Sequence, residues 1–153
     1  MKVRRLATVV LVLLSTLTTI AGAQSSNFNV LVLDALDGKP QSGAIVRYFC
    51  EGLGWNPQNE AKTGLNGIAE VPYQCQEGLE NITVDVPGEA KGECGGLGAL
   101  KLSDILAKGI ISEPNGAGGY WCPTKQRHKL KPVPGQVTVF VKKPTWWQSH
   151  VAG

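Results

Sequence analysis

The sequence predicts an all-β domain interrupted by one short helical segment, and three observations carry that reading. Apolar and polar residues alternate with period two in several short runs, most cleanly over Asn81–Val86 and Gln136–Val141. Turn dipeptides, Asp37-Gly38, Asn66-Gly67 and Pro87-Gly88, punctuate those runs. Four cysteines, Cys50, Cys75, Cys94 and Cys122, follow an N-terminal export pattern, which suits a disulfide-stapled fold.

The export pattern is explicit. Lys2, Arg4 and Arg5 form a positive n-region, Leu6–Ile20 an apolar h-region and Ala21-Gly22-Ala23 an A-x-A site. A secretory signal peptide is expected over residues 1–23, cleaved after Ala23, with the product in the periplasm, at the cell surface or outside the cell. The rival reading is an uncleaved anchor, but the h-region is short for a span, so no integral membrane segment is expected after cleavage. Residues 24–153 then suffice for a single domain with its own core.

The formal charge of +3 resides in those three leader residues, and the remaining chain balances 12 Lys/Arg against 12 Asp/Glu. The balance is uneven along the chain, because residues 124–153 hold six basic side chains and no acidic one. Such polarity can steer an anionic partner to the C-terminal end; a solvated surface is the plainer reading. Neutrality and export together argue against a nucleic-acid partner.

Phe28–Asp34 is the first strand, Asp37-Gly38 the turn, and Gln41–Cys50 the second strand, both flanks being rich in β-branched and aromatic residues. Pro40 stands at the turn exit, where a missing ladder N–H costs least, and Gly43-Ala44 is read as a close backbone approach. Glu51–Glu60 is a loop carrying Trp55. Ala61–Thr63 reads as a short strand, Gly64–Gly67 as a tight turn and Ile68–Val71 as a half-buried strand stopped by Pro72. In Asn81–Val86 the residues Ile82, Val84 and Val86 face inward, with Thr83 and Asp85 outward.

The order Val30, Asp34, Gly38, Pro40, Gly43-Ala44, Val46, then Thr63, Asn66-Gly67 and the strands that follow, resembles the carboxypeptidase regulatory-like domain over about residues 28–88. It departs from that pattern at Gly64, where the family usually has aspartate, and in lacking a leading glycine on the first strand. The resemblance implies an Ig-like, transthyretin-like β-sandwich, and accessory, adhesive or structural work rather than catalysis.

Residues 89–123 exceed such a module and read as an insertion between sandwich strands, pinned by Cys94 and Cys122. Within it, Leu100–Gly109 carries a helical pattern: Ser103 as N-cap, Asp104 in the first turn, Gly109 as stop, and Leu102, Ile105 and Leu106 on one face. Ile110-Ile111 reads as a core plug. Gln136–Val141 is the last strand, with Val137, Val139 and Val141 inward, and is expected to pair with the first. An aromatic tail, 142–153, follows. Four cysteines allow three connectivities; sequential pairing, Cys50–Cys75 and Cys94–Cys122, is favoured because Cys50 and Cys75 both end core strands.

Reactive constellations are sparse. The spacings 25, 19 and 28 between cysteines contain no C-x-x-C, which removes a thioredoxin-type site and a zinc ribbon. Gly95-Gly96-Leu97-Gly98 lacks the strand and Lys-Ser/Thr context of a phosphate loop. His128 and His150 are far apart, no G-x-S-x-G elbow occurs, and Asp34 and Asp37 suit turn bonds better than catalysis. No cofactor, metal or catalytic residue is therefore assigned. Lys125–Lys131 is a dense basic run that suits an anionic polymer or a solvated connection. Asn81-Ile82-Thr83 is a glycosylation sequon.

Trp146 and Trp147, with Trp55, are the candidate ligand or membrane contacts, because aromatic rings stack on sugars and settle at interfaces. The expectation is a non-catalytic secreted module serving other envelope or extracellular proteins, with edge-strand association as one mode. The alternative is a carbohydrate-binding module built on those tryptophans, with polysaccharide as partner.

Overall fold

A computed structural model describes residues 27–143 except 55, 56, 58, 77, 90, 91, 96 and 114–121. Among the described residues, eight strands form two sheets. The larger contains β1 (Asn27–Asp34), β4 (Ile68–Pro72), β8 (Gln136–Lys142), β6 (Gly92–Glu93) and β7 (Ile110–Ile111). The smaller has the order β3 (Asn59–Lys62), β2 (Ile45–Cys50), β5 (Leu79–Asp85). The alternation read from the sequence explains the layers: Phe28, Val30 and Val32 of β1, with Val137, Val139 and Val141 of β8, meet Val46, Tyr48, Ile82 and Val84 of the smaller sheet in one core. The fold is all-β apart from α1 (Leu102–Lys108) and one 3-10 turn, Arg127–Lys129.

The first and last strands do pair, and they do so in parallel, Val30 opposite Val137 and Leu33 opposite Phe140. The Asp-Gly turn forms as read: Leu36 N–H donates to Asp34 Oδ1 at 2.8 Å and Lys39 N–H to Asp37 Oδ1 at 2.9 Å. What differs is its consequence. β1 and β2 are not hairpin partners, because the chain after Pro40 crosses to the other sheet and leaves only an isolated Leu33–Pro40 bridge.

A polar corner fixes that crossing. Thr63 is buried; its hydroxyl donates to Gln41 O at 2.6 Å and accepts Ala44 N–H at 2.9 Å. The close backbone approach lies at Gly67 rather than Gly43: a Cβ on Gly67 would stand 2.8 Å from Pro40 Cβ and 2.9 Å from Val32 O. At Gly43 the nearest atom would be Lys62 Cε at 3.5 Å, so that glycine serves its φ of +74°. Tyr48, the largest fully buried side chain, donates its hydroxyl to Pro72 O at 2.7 Å and ties the smaller sheet to the end of β4.

Residues 89–123 do more than interrupt the succession of strands. β6 and β7 both pair with β8 on the side away from β1. Cys94, Cys122 and Ile111 cover the outer face of the larger sheet, packing with Leu33, Ala35 and Phe140 in a second apolar cluster. Hence β8 is buried on both faces. Ile110 and Ile111 are half-buried strand residues, not a core plug, because β8 offers them a ladder before the core can take them.

The helix also departs from expectation. It starts on Lys101 as N-cap with no side-chain cap bond, so Ser103 is not the cap. Leu100 is held to Leu79 by two backbone bonds of 2.7 and 3.0 Å, which forces the turn immediately after it. Only Ile105 of the helix is buried and Leu106 is 41 % exposed, since a seven-residue helix touches the core along one line. Gly109 ends it as expected, with φ +70°.

Candidate functional site

Cys50 and Cys75 are joined, as are Cys94 and Cys122, with Cα–Cα distances of 5.3 and 5.6 Å. This is the sequential pairing, and it suits an oxidising, extracytoplasmic setting. The first bridge clamps the loop leaving β2 to the loop entering β5. A cleft of about 290 Å³ opens beside it, lined by Cys50, Glu51, Gly52, Leu53, Gln74 and Gln76.

The local sequence explains why the cleft holds its shape. Glu51 N–H donates to Gly78 O at 3.0 Å beside the bridge, so two contacts lock the same pair of loops. The Glu51 carboxylate lies over Gly78, where a Cβ would fall 2.8 Å from both its carboxyl carbon and Oε2. A side chain at position 78 would push that carboxylate aside. Glu51 is half-buried, and among the described residues its side chain has no hydrogen-bond or salt-bridge partner. Burial first, and the Glu51 charge second, push the Tyr73 hydroxyl up from its ordinary value, so it stays protonated beside the cleft. Tyr73 in turn packs edge-on against Phe28, with ring centroids 6.4 Å apart. Gln74 and Gln76 are exposed and Leu53 is 57 % exposed, so amide, carboxylate and apolar groups face one opening.

A second unusual carboxyl lies elsewhere. Glu93 on β6 reaches across to the smaller sheet and accepts Val84 N–H at 3.1 Å on the outer edge of β5. Burial pushes it up to about 7, against the lowering effect of that bond. It is a bridge between layers rather than part of the cleft.

The other sequence candidates disperse. Asp34 and Asp37 serve the first turn. His128 is exposed in the 3-10 turn, and His150 lies outside the described residues. In the basic run, Arg127 is turned to structure: it donates to Ser112 O at 3.3 Å and pairs with the Glu113 carboxylate. Asn81 sits on β5, its side-chain oxygen accepting Ile82 N–H at 2.9 Å. Trp55, Trp146 and Trp147 lie outside the described residues. Among the described residues no three His, Cys, Asp or Glu side chains converge as a metal site, and no helix is long and apolar enough to cross a membrane.

Sequence reading did not find Glu51, Gln74 and Gln76. The signal was present in Cys50-Glu51 and Gln74-Cys75-Gln76, where polar residues flank two cysteines expected to join. No family model, curated protein or solved structure matches the chain.

Proposed function

We propose that this protein is a secreted, non-catalytic β-sandwich module of Ig-like, transthyretin-like type, similar to carboxypeptidase regulatory-like domains, that binds a partner outside the cytoplasm. The observation that carries the reading is the make-up of the cleft: one carboxylate, two amides and an apolar side chain on a disulfide-locked floor. General acid–base chemistry needs groups that exchange protons during turnover. Two amides beside a lone carboxylate form instead a recognition set, rich in fixed donors and acceptors. Support for the sandwich comes from the two sheets about one core, and from the Thr63–Gly67 corner within residues 28–88. The two disulfides support export through a leader over residues 1–23.

Partners in keeping with this reading are other envelope or extracellular proteins, or polysaccharide. A carbohydrate-binding module is the second reading, favoured by Gln74 and Gln76, whose amides both donate and accept. Its stacking candidates remain Trp55, Trp146 and Trp147.

Expression of the full chain in a secreting host tests the first reading. The product is expected outside the cytosol, beginning at Gln24, with both disulfides formed. Cytosolic retention with residues 1–23 intact overturns export, and turnover of a glycan or peptide by the purified product overturns the non-catalytic assignment.

A further inference from the structure

We infer that the cleft beside Cys50–Cys75 is a binding site for a neutral sugar ring, with the Glu51 carboxylate and the Gln74 and Gln76 amides as its hydrogen-bonding groups. The inference rests on the binding-module reading and names the ligand class of that site.

Three features converge. First, Glu51 is a half-buried carboxylate without a hydrogen-bonding or ionic partner among the described residues, and its main chain is anchored by the bond from its N–H to Gly78 O. An unused acceptor on an anchored loop is open to a donor from outside, and vicinal hydroxyls are suitable donors. Second, the two amides each offer two donors and an acceptor, so they answer hydroxyl groups in either sense. Third, Leu53 provides an apolar wall at the same opening, which suits the C–H face of a pyranose. At about 290 Å³ the cleft lies near the lower end of ligand pockets, roughly 300–1,000 Å³, and matches one or two rings rather than a long chain.

Other small-ligand classes fit less well. A phosphate or carboxylate would meet the Glu51 charge directly, and among the described lining residues there is no cation to offset it. An alkylammonium would pair with Glu51 but leave both amides without matched groups. The preformed floor also limits the ordering cost, since the disulfide and the Glu51–Gly78 bond already hold the loops together.

The test uses the oxidised, ¹⁵N-labelled chain from Gln24 to Gly153, titrated to millimolar concentration with methyl glycosides and disaccharides of glucose, galactose, mannose and N-acetylglucosamine. Saturable shifts confined to residues 50–53 and 73–76 are expected with at least one of these probes. Glu51→Gln, which keeps the shape and removes the charge, should weaken that binding about tenfold with an unchanged melting temperature. Gln76→Ala should weaken it less. Absence of saturable shifts with every sugar overturns the assignment, as does unchanged affinity in a folded Glu51→Gln variant. Shifts at the same residues with n-butylamine alone overturn the sugar assignment while leaving the binding module intact.

Discussion

Glu93 is where a single residue makes the stability depend on pH. Its carboxyl ionises at about 7 in the folded protein, against an ordinary value of 4.5, because burial disfavours the charged form. Between those values the folded state holds a proton that the unfolded chain has released, so stability falls as pH rises through that window and then levels off. The difference is worth roughly 3 kcal/mol. Glu93→Gln keeps an oxygen to accept Val84 N–H and cannot ionise. Urea denaturation should therefore show the variant losing this slope and exceeding the wild type by a similar amount above about pH 8. Equal slopes for both proteins would remove Glu93 from the account.

At the scale of elements, Gly67 and Gly43 separate two uses of one residue type. Both have positive φ, but only Gly67 is pressed against Pro40 and the Val32 carbonyl. Gly67→Ala should cost about 2–4 kcal/mol, combining left-handed strain with overpacking, whereas Gly43→Ala should cost only the strain, about 1–2 kcal/mol. Thermal unfolding of the two variants checks the ranking. The same scale shows what was legible in the sequence. Period-two alternation located β5 and β8; in β5 burial of one face imposes that pattern directly, whereas in β8 the alternate positions Thr138 and Phe140 are buried as well, which the alternation did not show. The pairing of β1 with β8 was expected, though not its parallel sense. The sheet change after Pro40 was not legible, since a turn signal says that the chain bends and not which neighbour receives it. Ser103 failed as a cap because a tertiary constraint, the Leu79–Leu100 bridge, placed the helix start earlier than local preference would. The cleft was hidden for a related reason: Glu51 and Gln74 are distant in sequence and meet through tertiary contacts, the Cys50–Cys75 bridge and the pairing of β2 with β5.

On the scale of the whole molecule, the two disulfides do different work. Cys50–Cys75 sits at the margin of the main core and sets the cleft, while Cys94–Cys122 fastens a covering layer onto the far face of the larger sheet. Closing loops of 25 and 28 residues, each should contribute about 3.5 kcal/mol on the chain-entropy estimate. Their removal should nevertheless be distinguishable. Replacing Cys94 and Cys122 by alanine should speed amide exchange at Cys94, now Ala, and at Ser112, whose N–H groups bond to β8, while Val46 and Tyr48 stay protected. Uniform loss of protection across both sheets would show that the outer layer and the main core unfold as one unit.

The place of β8 has a consequence for the order of events in the life of the chain. This strand supplies the parallel partner of β1, the ladders for β6 and β7, and apolar side chains to both clusters, yet it is the last strand to emerge during synthesis. A nascent chain lacking residues 136–142 has a first strand without its long partner and two cysteine-bearing loops without the surface that gathers them. Parallel pairing across more than a hundred residues carries a high loop-closure cost, which makes early closure slow. The larger sheet is therefore complete only once β8 has been made, and the strands that lean on it must wait for it.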